Sequence, residues 1–319
     1  MKRILAIAAS VVISAMGCTS GKAAGTDGMT TPPYLKRGDK VAVCLASSSV
    51  SANKVKRGVD VLKSWGLEVV VASNVYKNDH TYAGTVEERA LELQRMIDDP
   101  SVKAIVMARG GYGASHIIDK VDFTRGGAKW IAGFSDVTAV FCALNSVGIE
   151  GLHSPVLTTI DYDAVSTEYM RQALFGEYRG FEFPTDAASD RGIVTGRLVG
   201  GNLCIIASEI GTPYEYDLDG AVLFFEEVEE ATYRIDRMLT QLDLTGKLKG
   251  VKGILIGELT DCPTKGNFTI EEMSARVFKK YGIPVIYGAP CGHDTKNYPL
   301  YIGRQVTIEV NDAVTKVIF

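Results

Sequence analysis

Val41-Ala42-Val43-Cys44-Leu45-Ala46, followed by Ser47-Ser48-Ser49, is the stretch from which the fold is read. A short apolar run that stops at small, cap-forming residues is a buried strand running into a loop. The next segment has a different period. Asn53 to Trp65 repeats its apolar positions as a helix does and stops at Gly66, and Leu67 to Ala72 is again a strand. Thr85 and Glu88 form a capping-box pattern that opens a helix to Asp98. Ala104–Met107 and Trp130–Gly133 read as strands, with helices over Gly113–Lys120 and Asp136–Val147. Strands alternating with helices give a parallel sheet covered on both faces, so the N-terminal part is an α/β domain of Rossmann or flavodoxin type.

Beyond it, residues 161–190 are richer in acidic and small residues and read as a connector with one helix near Thr167–Phe175. A smaller C-terminal α/β domain, rich in strands, then takes residues 191–319. Its strands are expected from Gly192, at Ala221–Phe225, Gly253–Ile256, Val285–Tyr287 and Gln305–Val310, with Ala313–Phe319 closing the sheet. Helices at Asn202–Ile210, Tyr233–Thr240 and Ile270–Tyr281 lie between them. The N-terminal domain is assigned residues 34–160.

The first residues are read apart from the fold. Lys2 and Arg3 precede an apolar run from Ile4 to Ile13, then small residues up to Cys18, so residues 1–18 read as a signal peptide. The run is too short for a permanent membrane span. Cys18 after Ala15-Met16-Gly17 looks like a lipobox, which would acylate that cysteine, and residues 19–33 read as a flexible tether. The protein is therefore expected to be exported, either periplasmic or membrane-anchored through its lipid.

Of the 319 residues, 23% are charged, and the formal net charge is −4. No basic stripe for nucleic acid is present. Cys44, Cys142, Cys204, Cys262 and Cys291 have neither CxxC spacing nor a metal pattern. They are expected to be buried free thiols, with neither disulfides nor a metal site.

Chemistry is expected at the carboxyl edge of the first sheet. Gly133-Phe134-Ser135-Asp136 takes a strand through Gly-x-Ser into a helix, which exposes a serine hydroxyl beside free backbone N–H groups. The same pattern also fits a plain helix cap. Arg109-Gly110-Gly111-Tyr112-Gly113 follows the third strand, where glycines permit close backbone approach and Arg109 can meet a carboxylate. Of four histidines, His293 lies on a Gly- and Pro-containing loop after a strand, as suits a catalytic base, while His153 remains a rival. Glu226 and Glu227 end an apolar strand, where a carboxylate can orient an imidazole.

Together these segments resemble the LD-carboxypeptidase family from about Pro33 to the C-terminus. Tyr34-Leu35-Lys36-Arg37-Gly38-Asp39, Arg109–Gly113, Gly133–Asp136, Gly200-Gly201-Asn202-Leu203 and Tyr233–Leu239 carry the likeness. The resemblance implies a serine peptidase with the triad Ser135, Glu226 and His293, and an oxyanion hole from the backbone of Gly111 and Asp136. It implies, more weakly, substrate contacts from Arg109, Tyr112 and Arg234. The reaction implied releases terminal D-Ala from a peptidoglycan tetrapeptide at an L,D-amide bond, without a cofactor. A homodimer is also expected. Two alternatives stand beside it: an immunity-type peptidase acting on peptidyl-nucleotide antibiotics, and a muropeptide-binding lipoprotein without turnover. His153 is followed by Ser154 where relatives often carry Gly, and cell-wall-recycling relatives are commonly cytoplasmic.

Overall fold

The computed structural model describes residues 28–264 and 269–319. Residues 1–18, read from sequence as a signal peptide ending at Cys18, and most of the stretch read as a tether lie outside these residues.

The first sheet is built from β1 (Lys40–Cys44), β2 (Glu68–Val71), β3 (Val102–Met107), β4 (Trp130–Gly133) and β5 (Gly151–His153). All five run parallel, in the order β2-β1-β3-β4-β5. This is the flavodoxin-like order, with its topological switch point between β1 and β3. Helices α1 (Ala52–Ser64), α2 (Val86–Asp98) and α3 (Thr138–Ser146) join the strands. The capping box holds as read: Thr85 Oγ1 accepts from Glu88 N, and Glu88 accepts from Thr85 N.

After α4 (Ala164–Phe175) and β6 (Gly180–Pro184), a second sheet forms from β7 (Gly192–Asn202), β8 (Ala221–Val228), β9 (Gly253–Thr260) and β10 (Val285–Ile286). These four are parallel. β12 (Gln305–Val310) and β13 (Val314–Ile318) extend the sheet antiparallel and end on β6. Helices α5 (Leu203–Glu209), α6 (Thr232–Leu244) and α7 (Ile270–Phe278) cover it. One further strand, β11 (Leu300–Ile302), leaves this half of the chain and pairs antiparallel with β5, as the outermost strand of the first sheet.

Several sequence expectations change. The 161–190 stretch is more than a connector, because Phe181 and Phe183 alternate inward and make β6 a strand of the second sheet. The expected helix at Gly113–Lys120 is two 3-10 turns, Ala114–His116 and Ile118–Lys120. There the Gly113 carbonyl accepts from Arg89 Nη1 as well as from His116 N. The helix expected from Asp136 begins with a 3-10 turn over Ser135–Val137. The end of the stretch read as a flexible tether is engaged, since Thr30 bridges to Ile149 and the adjacent Thr31 hydroxyl donates to Glu150 at 2.9 Å. Cys204 is exposed, because Leu203, Ile206 and Ala207 take the inner side of α5. No described cysteine is in a disulfide.

Candidate active site

The loops at the carboxyl ends of β1, β3, β4 and β5 open into a cleft of about 830 Å³. The first sheet contributes Ser49, Arg109, Gly111, Ser135 and Thr158, and the second contributes Glu229 and His293. The cleft therefore lies at the switch point of the first sheet, the place where open α/β sheets bind ligands. Arg109 Nη1 spans that point and donates to the Ser49 carbonyl at 3.0 Å.

Ser135 takes a backbone φ of +65°, uncommon for a residue with a side chain and stabilised only by its surroundings. The following Asp136 supplies those surroundings. Its buried carboxylate accepts from the Ser47 hydroxyl and from Ala114 N at 2.8 Å, which ties the β1 and β3 loops to the serine turn. Burial raises its pKa, while the hydrogen bonds from Ser47, Ala114 and Gly113 act against that rise. Arg89, fully buried, donates to the carbonyls of Ala46 and Gly113 and braces the same two loops from below. Gly110 passes so close to the serine that a Cβ there would lie 2.9 Å from Ser135 Cβ. Only glycine allows this approach.

Across the cleft, His293 Nδ1 lies 2.6 Å from Glu226 Oε2. Since the carboxylate accepts, Nδ1 carries the proton and Nε2 is left as the basic nitrogen. Glu226 is fully buried at the end of the apolar part of β8. Burial disfavours the charged imidazole, but the Glu226 hydrogen bond and the carboxylates of Glu226, Glu227 and Glu258 outweigh it, so the His293 pKa is raised. Phe134, next to Ser135, packs against the His293 ring at 4.8 Å between centroids.

The adjacent Glu227 has a different task. It accepts from Asn202 Nδ2 at 2.8 Å, Cys204 N at 2.8 Å and Val228 N at 3.0 Å, so it holds the start of α5. Asn202 is also where the two halves meet: its N–H donates to Thr138 Oγ1 at 2.9 Å, three residues beyond Ser135. Asn202 pairs in register with Glu226, so one backbone contact relates the serine helix to the carboxylate. Gly201 makes that docking possible, because a Cβ there would come within 2.3 Å of Thr138 Oγ1.

Of the residues expected from sequence, Ser135, His293, Arg109 and Gly111 line the cleft, with Glu226 behind His293 and Asp136 buried beneath. Tyr112 does not line it; its exposed ring packs on Tyr82 and His116 instead. Nor does Arg234 of α6, which pairs with Glu230 just before that helix at 3.1 Å. His153 lies in the core, its Nε2 3.0 Å from Asn297 Oδ1. Lys54, Tyr162 and Glu229 also line the cleft and were not singled out from sequence. Lys54 had a signal in the first turn of the helix after Ser47-Ser48-Ser49, and Glu229 in the acidic run at the end of β8. Among the described residues, no cluster of His, Cys, Asp or Glu is arranged to hold a metal, and no helix is long and apolar enough to cross a membrane.

Residues 41–154 match the LD-carboxypeptidase N-terminal domain and residues 195–308 the LD-carboxypeptidase C-terminal domain. A Bacillus subtilis protein named "Probable murein peptide carboxypeptidase" is 33% identical, over 87% of this chain and 91% of its own. The crystal structure of muramoyltetrapeptide carboxypeptidase from Oxalobacter formigenes is similar at a TM-score of 0.78 and 26% identity, covering 87% of this chain and 97% of that one. The microcin C7 self-immunity protein MccF of Escherichia coli is 24% identical over 84% of this chain and 89% of its own. A structure of MccF with glutamyl sulfamoyl guanosine shares the fold at a TM-score of 0.80 and 21% identity, covering 90% of this chain and 98% of that one. This chain belongs to the LD-carboxypeptidase family of hydrolases.

Proposed function

We propose that the protein is a serine carboxypeptidase that releases the terminal D-Ala of peptidoglycan tetrapeptides by cleaving the L,D-amide bond. The observation that carries this reading is the 2.6 Å contact between Glu226 and His293 in the wall of the cleft that Ser135 also lines. In this mechanism the Ser135 hydroxyl attacks the carbonyl carbon of the third stem residue while His293 Nε2 takes its proton. Glu226 holds the ring and stabilises the imidazolium. The backbone N–H groups of Gly111 and Asp136 receive the oxyanion. Collapse breaks the C–N bond as His293 returns the proton to the departing D-Ala amine. Water, activated by the same imidazole, then hydrolyses the ester and frees the tripeptide. Arg109 and Lys54 supply the positive charge that suits the substrate's terminal carboxylate. Relatives named for murein peptides support the substrate class.

A second reading, cleavage of a peptidyl-nucleotide antibiotic, is favoured by the likeness to the MccF self-immunity protein and by a cleft with room for a nucleoside. Incubation with an L,D-tetrapeptide and with an aminoacyl sulfamoyl nucleoside, read by mass spectrometry, separates them. Release of D-Ala supports the first reading. Cleavage of the nucleotide conjugate alone supports the second, and binding without product a third, a muropeptide receptor.

Export belongs to the same proposal, with Cys18 as the lipidated N-terminus of the mature chain. Cys18→Ser should move the protein from the membrane to the soluble fraction; an unchanged distribution removes the anchor. The homodimer expected from the family is tested by light scattering at working concentration.

A further inference from the structure

His293 sits on a crossing segment. The chain leaves the second sheet at β10 and reaches the first sheet at β11, and the histidine lies between. Asn297, buried on this segment, gathers it. Its Oδ1 accepts from Gly292 N at 3.2 Å, the residue before His293, and its own N–H donates to Ser166 Oγ at 3.0 Å. The same Oδ1 lies 3.0 Å from His153 Nε2. Because the Gly292 N–H fixes that atom as an oxygen, the His153 nitrogen facing it must be the protonated one. His153 is then a neutral donor, and burial pushes its pKa down to about 4, so it keeps that role at neutral pH.

The position of His153 in the sheet gives the contact its meaning. It ends β5 and pairs in register with Gly133, which opens the turn to Ser135. On its other side it pairs with Leu300 of β11. Phe134 packs against both imidazoles, 5.9 Å from His153 and 4.8 Å from His293 between ring centroids. One buried donor thus joins the sheet that carries the serine to the loop that carries the base.

We propose that His153 is a positioning residue, which through Asn297 and Gly292 sets where His293 stands relative to Ser135. The proposal rests on the serine peptidase reading above. It accounts for a buried histidine that neither touches the cleft nor titrates near neutrality.

The test replaces His153 by Phe, which keeps a ring among Phe134 and Phe224 but has no N–H, and by Gln, which restores a donor. With the tetrapeptide as substrate, His153→Phe should lower kcat roughly 10- to 100-fold with KM changed less than about threefold, since misplacement of about an ångström has effects of that size. His153→Gln should recover part of the loss. Asn297→Ala should resemble His153→Phe, and the double variant should be no worse than either alone.

A second readout does not depend on the substrate. The His293 titration, followed by NMR on 15N-histidine protein, depends on burial and on Glu226, Glu227 and Glu258, and should shift in His153→Phe as the loop moves. A folded His153→Phe with unchanged His293 titration and kcat within about twofold overturns the proposal. A shifted titration in a protein whose wild type releases no D-Ala upholds the coupling and overturns the substrate reading instead. If the phenylalanine is not tolerated, Asn297→Ala carries both measurements.

Discussion

At the residue scale, the site depends on which of two neighbouring carboxylates faces the imidazole. Glu226 does so and Glu227 caps α5, although both end the same strand. In the proposed mechanism the pair makes activity depend on pH in a defined direction. His293 has a raised pKa, so the imidazolium persists above the usual 6.5 and the acid limb of kcat/KM should lie above that value. Glu226→Gln removes the leading cause of the rise and leaves burial. Its limb should move to lower pH while kcat falls about 10²- to 10⁴-fold, as seen when a triad acid loses its charge. A pH–rate profile of both proteins checks this; an unmoved limb would detach Glu226 from the base. Stability follows the same sign. The folded pKa exceeds the unfolded one, so the contribution of the pair is complete below about 6.5 and is lost as pH rises through the raised value.

At the scale of elements, the docking of α3 on β7 governs whether the serine and the base of the proposed mechanism meet. Gly201 has φ +144°, and a Cβ there would clash with Thr138 Oγ1 at 2.3 Å. Gly201→Ala should destabilise the protein by about 2–4 kcal/mol, the range for overpacking combined with backbone strain, and should lower kcat as well. Thermal unfolding together with the D-Ala assay measures both; a variant with wild-type Tm and rate would show that the two halves do not meet through this contact. Much of this level was legible in the chain. Trp130–Gly133 and Gln305–Val310 are strands with the bounds read from sequence, because apolar runs between turn residues leave little choice. The Ser135 turn and the His293 loop were readable as motifs. Between Glu226 and Glu227 only the family resemblance chose, since β8 is buried on both faces and its periodicity carries no orientation. β11 and the His153–Asn297 contact were illegible for another reason: three residues of strand and one asparagine acquire meaning only when the chain returns to the first sheet.

At the scale of the molecule, the first sheet takes a strand from the other half of the chain. β11 comes from the C-terminal half, yet it closes the edge of the first sheet, and the His293 loop spans the gap. Two independent folding units would melt separately; here the first sheet is incomplete without residues near the C-terminus. Heating should therefore give one transition, coincident by far- and near-UV circular dichroism, and separated transitions would contradict the shared sheet. The same interlocking explains how Ser135 and His293, far apart in sequence, face one cleft. The most direct measurement is the rate of D-Ala release from an L,D-tetrapeptide by the wild type and by Ser135→Ala, read by mass spectrometry. Steady release is expected from the wild type, with a loss of at least about 10³-fold in the variant, the scale on which a triad nucleophile acts. Release by folded Ser135→Ala at a rate close to wild type would contradict a serine nucleophile at this position.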